Sequence, residues 1–441
     1  MRKSISFFLV SAIVLGLAGC GPTVSAQVVK SDKARITEPA VEKADLDALV
    51  NSNNAFAFTL YQMLRQAEGN LFYSPYSISE ALGMTYAGAR GDTEKSMAQV
   101  LNFTLSQDRL HPAFNSIDLQ LAQRGQGAKG KDGEGFRLHV VNAIWGQKDH
   151  QFVPQFLDVL AQNYGTGLRI LDFIKETEQS RITINDWVSQ QTEQRIKDLV
   201  PPGAINTLTR LVLTNAIYFN AAWQYPFMTE STSNRAFNLL NGSSVMAPMM
   251  NQTEYFRYTE GADYQAPPSE YWRFTAGADY QAVELPYDGK ELSMLILAPG
   301  AGQFDAFEKA LTAGALEGII GALATKRVAL TMPKFEFESS FGLKKPLATM
   351  GMGVAFTTDA DFSGIDGKRD LLIQDVLHKA FVSVDEAGTE AAAATAVIIG
   401  TTSMPPPPVE LTLDRPFIFL IRDIPTGTTI FVGRVLNPTA N

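Results

Sequence analysis

The chain has 441 residues, 45% of them hydrophobic and 19% charged, enough apolar sequence for a packed core and too much for a disordered chain. Its net charge of −9, with basic residues spread along its length, excludes the basic face that nucleic-acid binding needs. One cysteine, Cys20, excludes an intramolecular disulfide and a cysteine-held metal site.

Met1-Arg2-Lys3 leads into an apolar run from Ile5 to Leu17 and then Leu17-Ala18-Gly19-Cys20. A charged start, a short apolar core and small residues before a cut make a secretory signal over 1–19. The run is too short to read as a membrane span. Leu-Ala-Gly-Cys resembles the bacterial lipobox. That resemblance implies cleavage before Cys20, lipid on its sulfur and a membrane-anchored lipoprotein of the cell envelope. Gly21 after the cysteine implies sorting to the outer membrane, with the domain facing periplasm or exterior. The alternative is an ordinary signal peptide with an incidental cysteine. Residues 20–44 are polar and read as a flexible tether. Residues 45–441 then read as a single domain.

Phe56, Leu60, Met63 and Leu64 recur at helical spacing, and Gly69-Asn70 ends that helix. In Ser74-Pro75-Tyr76-Ser77-Ile78, Pro75 suits the first turn of a helix with Ser74 as its cap. Gly125-Gln126-Gly127-Ala128-Lys129-Gly130 fits Gly-x-Gly-x-x-Gly, but a dinucleotide site needs that motif between a strand and a helix. It follows a helical-looking run here and reads as a solvated loop. Phe136 to Trp145 reads as a strand and Phe152 to Tyr164 as a helix. Ile184 to Leu199 reads as an amphipathic helix ended by Pro201-Pro202. Leu211 to Trp223 is apolar and β-rich, suiting a buried central strand. Phe256 to Ala266 is nearly repeated as Trp272 to Ala282, with Pro267-Pro268 between. Two copies are too few for a repeat fold. Residues 256–282 read as a short tandem duplication that loops out a hairpin, neutral rather than an added binding surface. Leu292 to Leu297 reads as a buried strand, and Val328 to Phe337 alternates as a strand should. Phe417 to Arg422 and Thr428 to Val435 read as a hairpin.

Between these runs lies Val384-Asp385-Glu386-Ala387-Gly388-Thr389-Glu390-Ala391-Ala392-Ala393-Ala394-Thr395-Ala396. Small side chains suit a strand that must slip between two others. Alternate residues of a strand face opposite ways. Thr389, Ala391, Ala393, Thr395, Val397 and Ile399 therefore share one face without a charge, and Glu390 falls on the other. The competing reading is an alanine-rich loop or a short helix.

This stretch resembles the reactive-loop hinge of inhibitory serpins, departing from the pattern only at Ala387. Other blocks resemble the family in the right order from Val50 to Pro438. They include Ser74-Pro75-Tyr76-Ser77-Ile78, Asn215-Ala216-Ile217-Tyr218-Phe219-Asn220, and the C-terminal hairpin with Arg415 where His is usual. The resemblance implies an α+β serpin fold: three β-sheets, about eight or nine helices and an exposed reactive-centre loop over 386–408. It implies a shutter and breach made by Ser74, Ser77, Asn215, Trp223, Lys334 and His378, with Lys334 paired to Glu386. The hinge is Glu386, Gly388, Thr389, Glu390, Ala391, Ala392, Ala393 and Ala394.

The implied function is inhibition of serine proteases as a suicide substrate. Counting from Gly388 with the family spacing places the reactive bond at Thr402-Ser403. Registers one or two residues away, at Thr401 or Met404, stay open. Thr402 is small and β-branched, suiting the shallow primary pocket of elastase-like or subtilisin-like enzymes. The alternatives are a non-inhibitory carrier or chaperone-like serpin, and a serpin cleaved without trapping. The chain has neither Gly-x-Ser-x-Gly nor His-Glu-x-x-His, so it reads as no enzyme. No cofactor or metal is expected, and the domain is expected to act as a monomer.

Overall fold

The computed structural model describes residues 26–130, 133, 135–261, 279–389 and 407–440. A seven-stranded main sheet runs in the order Gln27–Val29, Leu168–Leu171, Arg137–Gln147, Leu211–Ala222, Gly388–Thr389, Val376–Val384, Phe335–Gly342. A nine-stranded ladder holds the other strands. The expected second and third sheets are continuous in that ladder, because Ser244–Gly261 is long enough to pair with Ser233–Asn238, Ala324–Pro333 and Tyr280–Pro286. Eight helices of seven residues or more are present among the described residues.

The central strands read as apolar because both faces of the main sheet are covered. Val212, Ala216, Val141 and Trp145 face a smaller core under the helix Thr177–Gln191. Leu211, Leu213, Ile217 and Ala221 alternate to the main core. Behind that face lies the helix Pro75–Tyr86, every residue of which is buried. Ser74 starts it as the sequence suggests, its hydroxyl accepting from Ser77 N at 3.2 Å.

Two expectations need correction. The tether expected over 20–44 is docked from residue 26 onward, with Gln27–Val29 forming an edge strand against Leu168–Leu171. Alternation of Gln27, Val28 and Val29 was too short a signal to reveal a strand. The loop Gly125–Gly130 is also not simply solvated. Its Lys129 N donates to Asp288 at 2.9 Å, and its Lys129 O accepts from Ala222 N at 3.1 Å. It follows the helix Gln107–Ala122, so the strand-to-helix context of a dinucleotide motif is missing. In the duplication, Tyr258 to Gly261 of the first copy pairs with Tyr280 to Val283, which starts in the second. The first copy thus builds the body strand, and the surplus falls within 262–278, outside the described residues.

Candidate functional site

The main sheet is closed in its middle and parted at its top. Val376 to Ala380 pairs in parallel with Leu213 to Ile217. Above Ala380 the two strands separate, and Gly388–Thr389 occupies the top of the gap. Gly388 and Thr389 pair antiparallel with Ala222 and Ala221, and Thr389 pairs with Val384. Only a residue without a side chain fits at the first position, because a Cβ on Gly388 would lie 2.1 Å from Ala221 O.

Thr389 is 2% exposed and its hydroxyl lies 2.8 Å from the Tyr287 hydroxyl. Tyr287 is itself buried and stacks flat on Trp223, ring centroids 4.7 Å apart. Burial pushes the Tyr287 hydroxyl well up from its ordinary range, so it stays a neutral hydrogen-bonding group. Trp223 holds the base of the loop through Nε1 to Asp385 O at 2.9 Å and its own amide to Ala387 O at 2.9 Å. Phe227 N donates to Glu386 O at 2.8 Å. Lys334 Nζ lies 2.7 Å from Glu386, and Thr232 Oγ1 donates to the same carboxylate at 2.6 Å. Burial raises the Glu386 carboxyl, and those hydrogen bonds with its backbone amide more than offset it, leaving it below its ordinary value. Lys334 stays about one-third exposed, so the pair contributes no more than about 1 kcal/mol.

A second polar cluster lies under the closed middle of the sheet. Asn215 and His378 alternate with Leu213, Ile217, Val376 and Ala380 on the inward face, so their polar groups must find partners there. His378 Nδ1 bonds Asn215 Oδ1, and its Nε2 accepts from Ser74 N at 3.2 Å. Asn215 Nδ2 donates to Ser77 Oγ at 2.5 Å and to Asn142 Oδ1. Ser74 Oγ donates to Ile430 O at 2.7 Å. Ser74, Ser77, Asn215 and His378 therefore meet, as do Trp223, Lys334 and Glu386 with the base of the loop. Cys20, Glu390, Ala391, Ala392, Ala393, Ala394, Thr402 and Ser403 lie outside the described residues. Asn142, Glu80 and Tyr287 escaped the sequence reading. A lone Asn inside the apolar strand Arg137–Gln147 was the available signal for the first.

The geometry needs neutral His378. A protonated ring would turn Nε2 into a donor facing the Ser74 N–H. Burial alone lowers the ring from 6.5 to about 3. The folded value is depressed, so its contribution is full above pH 6.5 and is lost as pH falls toward 3. Urea unfolding should show stability falling by about 3 kcal/mol between neutral and mildly acidic pH. His378→Gln should flatten that slope. His111, lowered to about 4 by burial and then by Arg90, adds to the same loss and sets the residual slope.

A parted sheet with a loop base lodged between its strands defines the fold class. Uncleaved ovalbumin superimposes with a TM-score of 0.74 at 24% identity, covering 89% of this chain and 100% of that one. That likeness carries the fold alone. A family model described as Serpin (serine protease inhibitor) matches residues 51–438. An uncharacterized serpin-like protein of Thermococcus kodakarensis is 37% identical, with 99% of each chain covered. Leukocyte elastase inhibitor of Sus scrofa is 36% identical, over 89% of this chain and 100% of its own. Antithrombin-III of Mus musculus is 37% identical, over 89% of this chain and 82% of its own. The chain belongs to the serpin family.

Proposed function

We propose that the protein inhibits serine proteases of elastase-like or subtilisin-like preference as a suicide substrate. The observation that carries this reading is the lodging of Gly388–Thr389 between Leu211–Ala222 and Val376–Val384, where an incoming strand would begin. Thr389 points to the inward face. By alternation, Ala391, Ala393, Thr395, Val397 and Ile399 would follow it there, all uncharged. The relatives named as an elastase inhibitor and an antithrombin support inhibition as the activity.

The chemistry begins with the protease. Its serine oxygen attacks the carbonyl carbon of Thr402, and an ester forms to the Thr402 acyl group. The Thr402–Ser403 C–N bond breaks, and the Ser403 nitrogen takes a proton to become a new amino terminus. The freed segment then extends the strand already started at Gly388, gaining ladder hydrogen bonds and burying its small face. Val376–Ala380 must separate from Leu213–Ile217 to admit it, breaking the Asn215–His378 bond. The acylated protease is carried with the loop and distorted before water can release it. Turnover of about 1–1000 per second sets the rate that insertion must match.

Incubation with neutrophil elastase tests the reading. The expected result is a complex stable on a denaturing gel and a released peptide beginning at Ser403. Cleavage at that bond without a complex would mean a cleaved substrate instead. A released peptide beginning at Thr402 or Pro405 would move the register to Thr401 or Met404.

Lipid attachment at Cys20 and an outer-membrane location belong to the same proposal and rest on Leu17-Ala18-Gly19-Cys20. Palmitate labelling of cells expressing the full chain should mark the protein, and Cys20→Ala should abolish the label. Labelling that survives the substitution would refute the anchor.

A further inference from the structure

Residues 26–42 connect the edge of the main sheet to two helices. At one end, Gln27–Val29 is paired with the edge of the main sheet. At the other, the segment is fixed to helices. Ser31 Oγ donates to Asp158 at 2.5 Å, and Lys33 Nζ lies 2.8 Å from the same carboxylate on the helix Pro154–Tyr164. Arg35 Nε donates to Asn115 Oδ1 at 2.8 Å, and its Nη2 to Asp118, both on the helix Gln107–Ala122. Ile36 closes the attachment with N to Gln162 O at 2.9 Å and O from Asn115 Nδ2 at 2.7 Å.

Glu80, on the helix Pro75–Tyr86, is 6% exposed and accepts from Asn142 Nδ2 at 2.7 Å. The ionisable groups around it are Tyr76 on its own helix, Asp118, Tyr164 on the helix Pro154–Tyr164, and Arg35. Arg35 is the cation of that set. Burial and then Asp118 push the Glu80 carboxyl well up, while Asn142 and Arg35 pull it back. The Tyr76 hydroxyl beside them is buried without a hydrogen-bond partner among the described residues. Asn142 in turn accepts from Ser77 Oγ at 3.1 Å and from Asn215 Nδ2, which brings the chain of contacts to His378.

Arg137 to Gly146 and Leu211 to Asn220 are paired along their whole length, so they must slide as one unit when the sheet opens. That slide breaks the bond from Asn142 to Glu80 and carries the paired edge strand away from the anchors of Arg35. The geometry points to residues 26–42 as a strap that restrains sheet opening, with Arg35 as the positioning residue that ties it to Asn115 and Asp118. The inference rests on the loop-insertion reading, yet its readout needs no protease.

The test is amide hydrogen exchange on the uncleaved protein carrying Arg35→Gln, Glu80→Gln or both. Glu80→Gln keeps an acceptor for Asn142 and removes one of the two neighbouring acids. Arg35→Gln should lower protection at Leu213–Ile217 and Val376–Ala380 by about fivefold, the effect of one part-buried ion pair. Protection in the hairpin Phe417–Val435 should not change. In the double variant protection should stay as low as in Arg35→Gln, since the strap remains untied from Asn115 and Asp118. Unchanged protection in Arg35→Gln would overturn the strap. Protection restored by the second substitution would trace the loss to an uncompensated buried acid and overturn the strap. A wild-type protein with the expected exchange pattern that fails to trap elastase would overturn the inhibitory reading alone.

Discussion

Thr389→Arg is expected to make the protein a substrate of the protease it is proposed to trap. The Thr389 side chain points to the inward face at the top of the main sheet, is 2% exposed, and meets the buried Tyr287 hydroxyl. An unpaired guanidinium placed there costs several kcal/mol, and about 3 kcal/mol on the insertion barrier slows that step by about a hundredfold. Deacylation then wins. Titration of elastase should show the stoichiometry of inhibition rising by about tenfold or more, with cleavage at the same bond. Covalent complex at wild-type stoichiometry would sink the hinge argument. Thr389→Ser is the control. It keeps the hydroxyl for Tyr287 and should stay within about twofold of the wild type.

Gly388→Ala is expected to have an effect nearly as large through sterics alone. Its Cβ would lie 2.1 Å from Ala221 O and 2.8 Å from Ala222 Cα, both backbone atoms that cannot rotate away. The hinge must leave the sheet, or Leu211–Ala222 must shift. Either way the Trp223–Ala387 and Gly388–Ala222 backbone contacts are lost or lengthened. Two effects should appear together. In the resting protein, exchange at the Trp223 amide, which donates to Ala387 O, should rise. With protease, the inserting strand meets the same clash, and stoichiometry should rise by about fivefold or more. A variant with slow exchange at Trp223 and unchanged stoichiometry would show that the hinge does not need the sheet at this position.

These two expectations draw on different kinds of information. The Arg substitution could be designed from the alternation of small residues after Gly388, which is a property of neighbours in the chain. The choice of Tyr287 as the partner could not, because Tyr287 and Thr389 are 102 residues apart. The Glu80–Asn142 bond, across 62 positions, is similar. Glu80 sits in a block whose spacing describes a buried helix, and spacing does not say which buried position faces another acid.

What the sequence determined by itself was whatever depends on local order. A proline after a capping serine sets the start of Pro75–Tyr86. Apolar runs set the central strands, and a small, uncharged alternating face sets the segment able to become a strand. The order of family blocks then identified the fold. The tertiary structure decided where those pieces rest. It placed Gly388–Thr389 in the sheet, joined two expected sheets through Ser244–Gly261, and seated Gln27–Val29 on the edge strand. The physical reason is the same for Gly388–Thr389 and Gln27–Val29. A short polar or glycine-bearing segment has too little apolar surface to specify its own conformation. Its position is set by hydrogen-bonding groups that the folded domain leaves open at a strand edge or between parted strands.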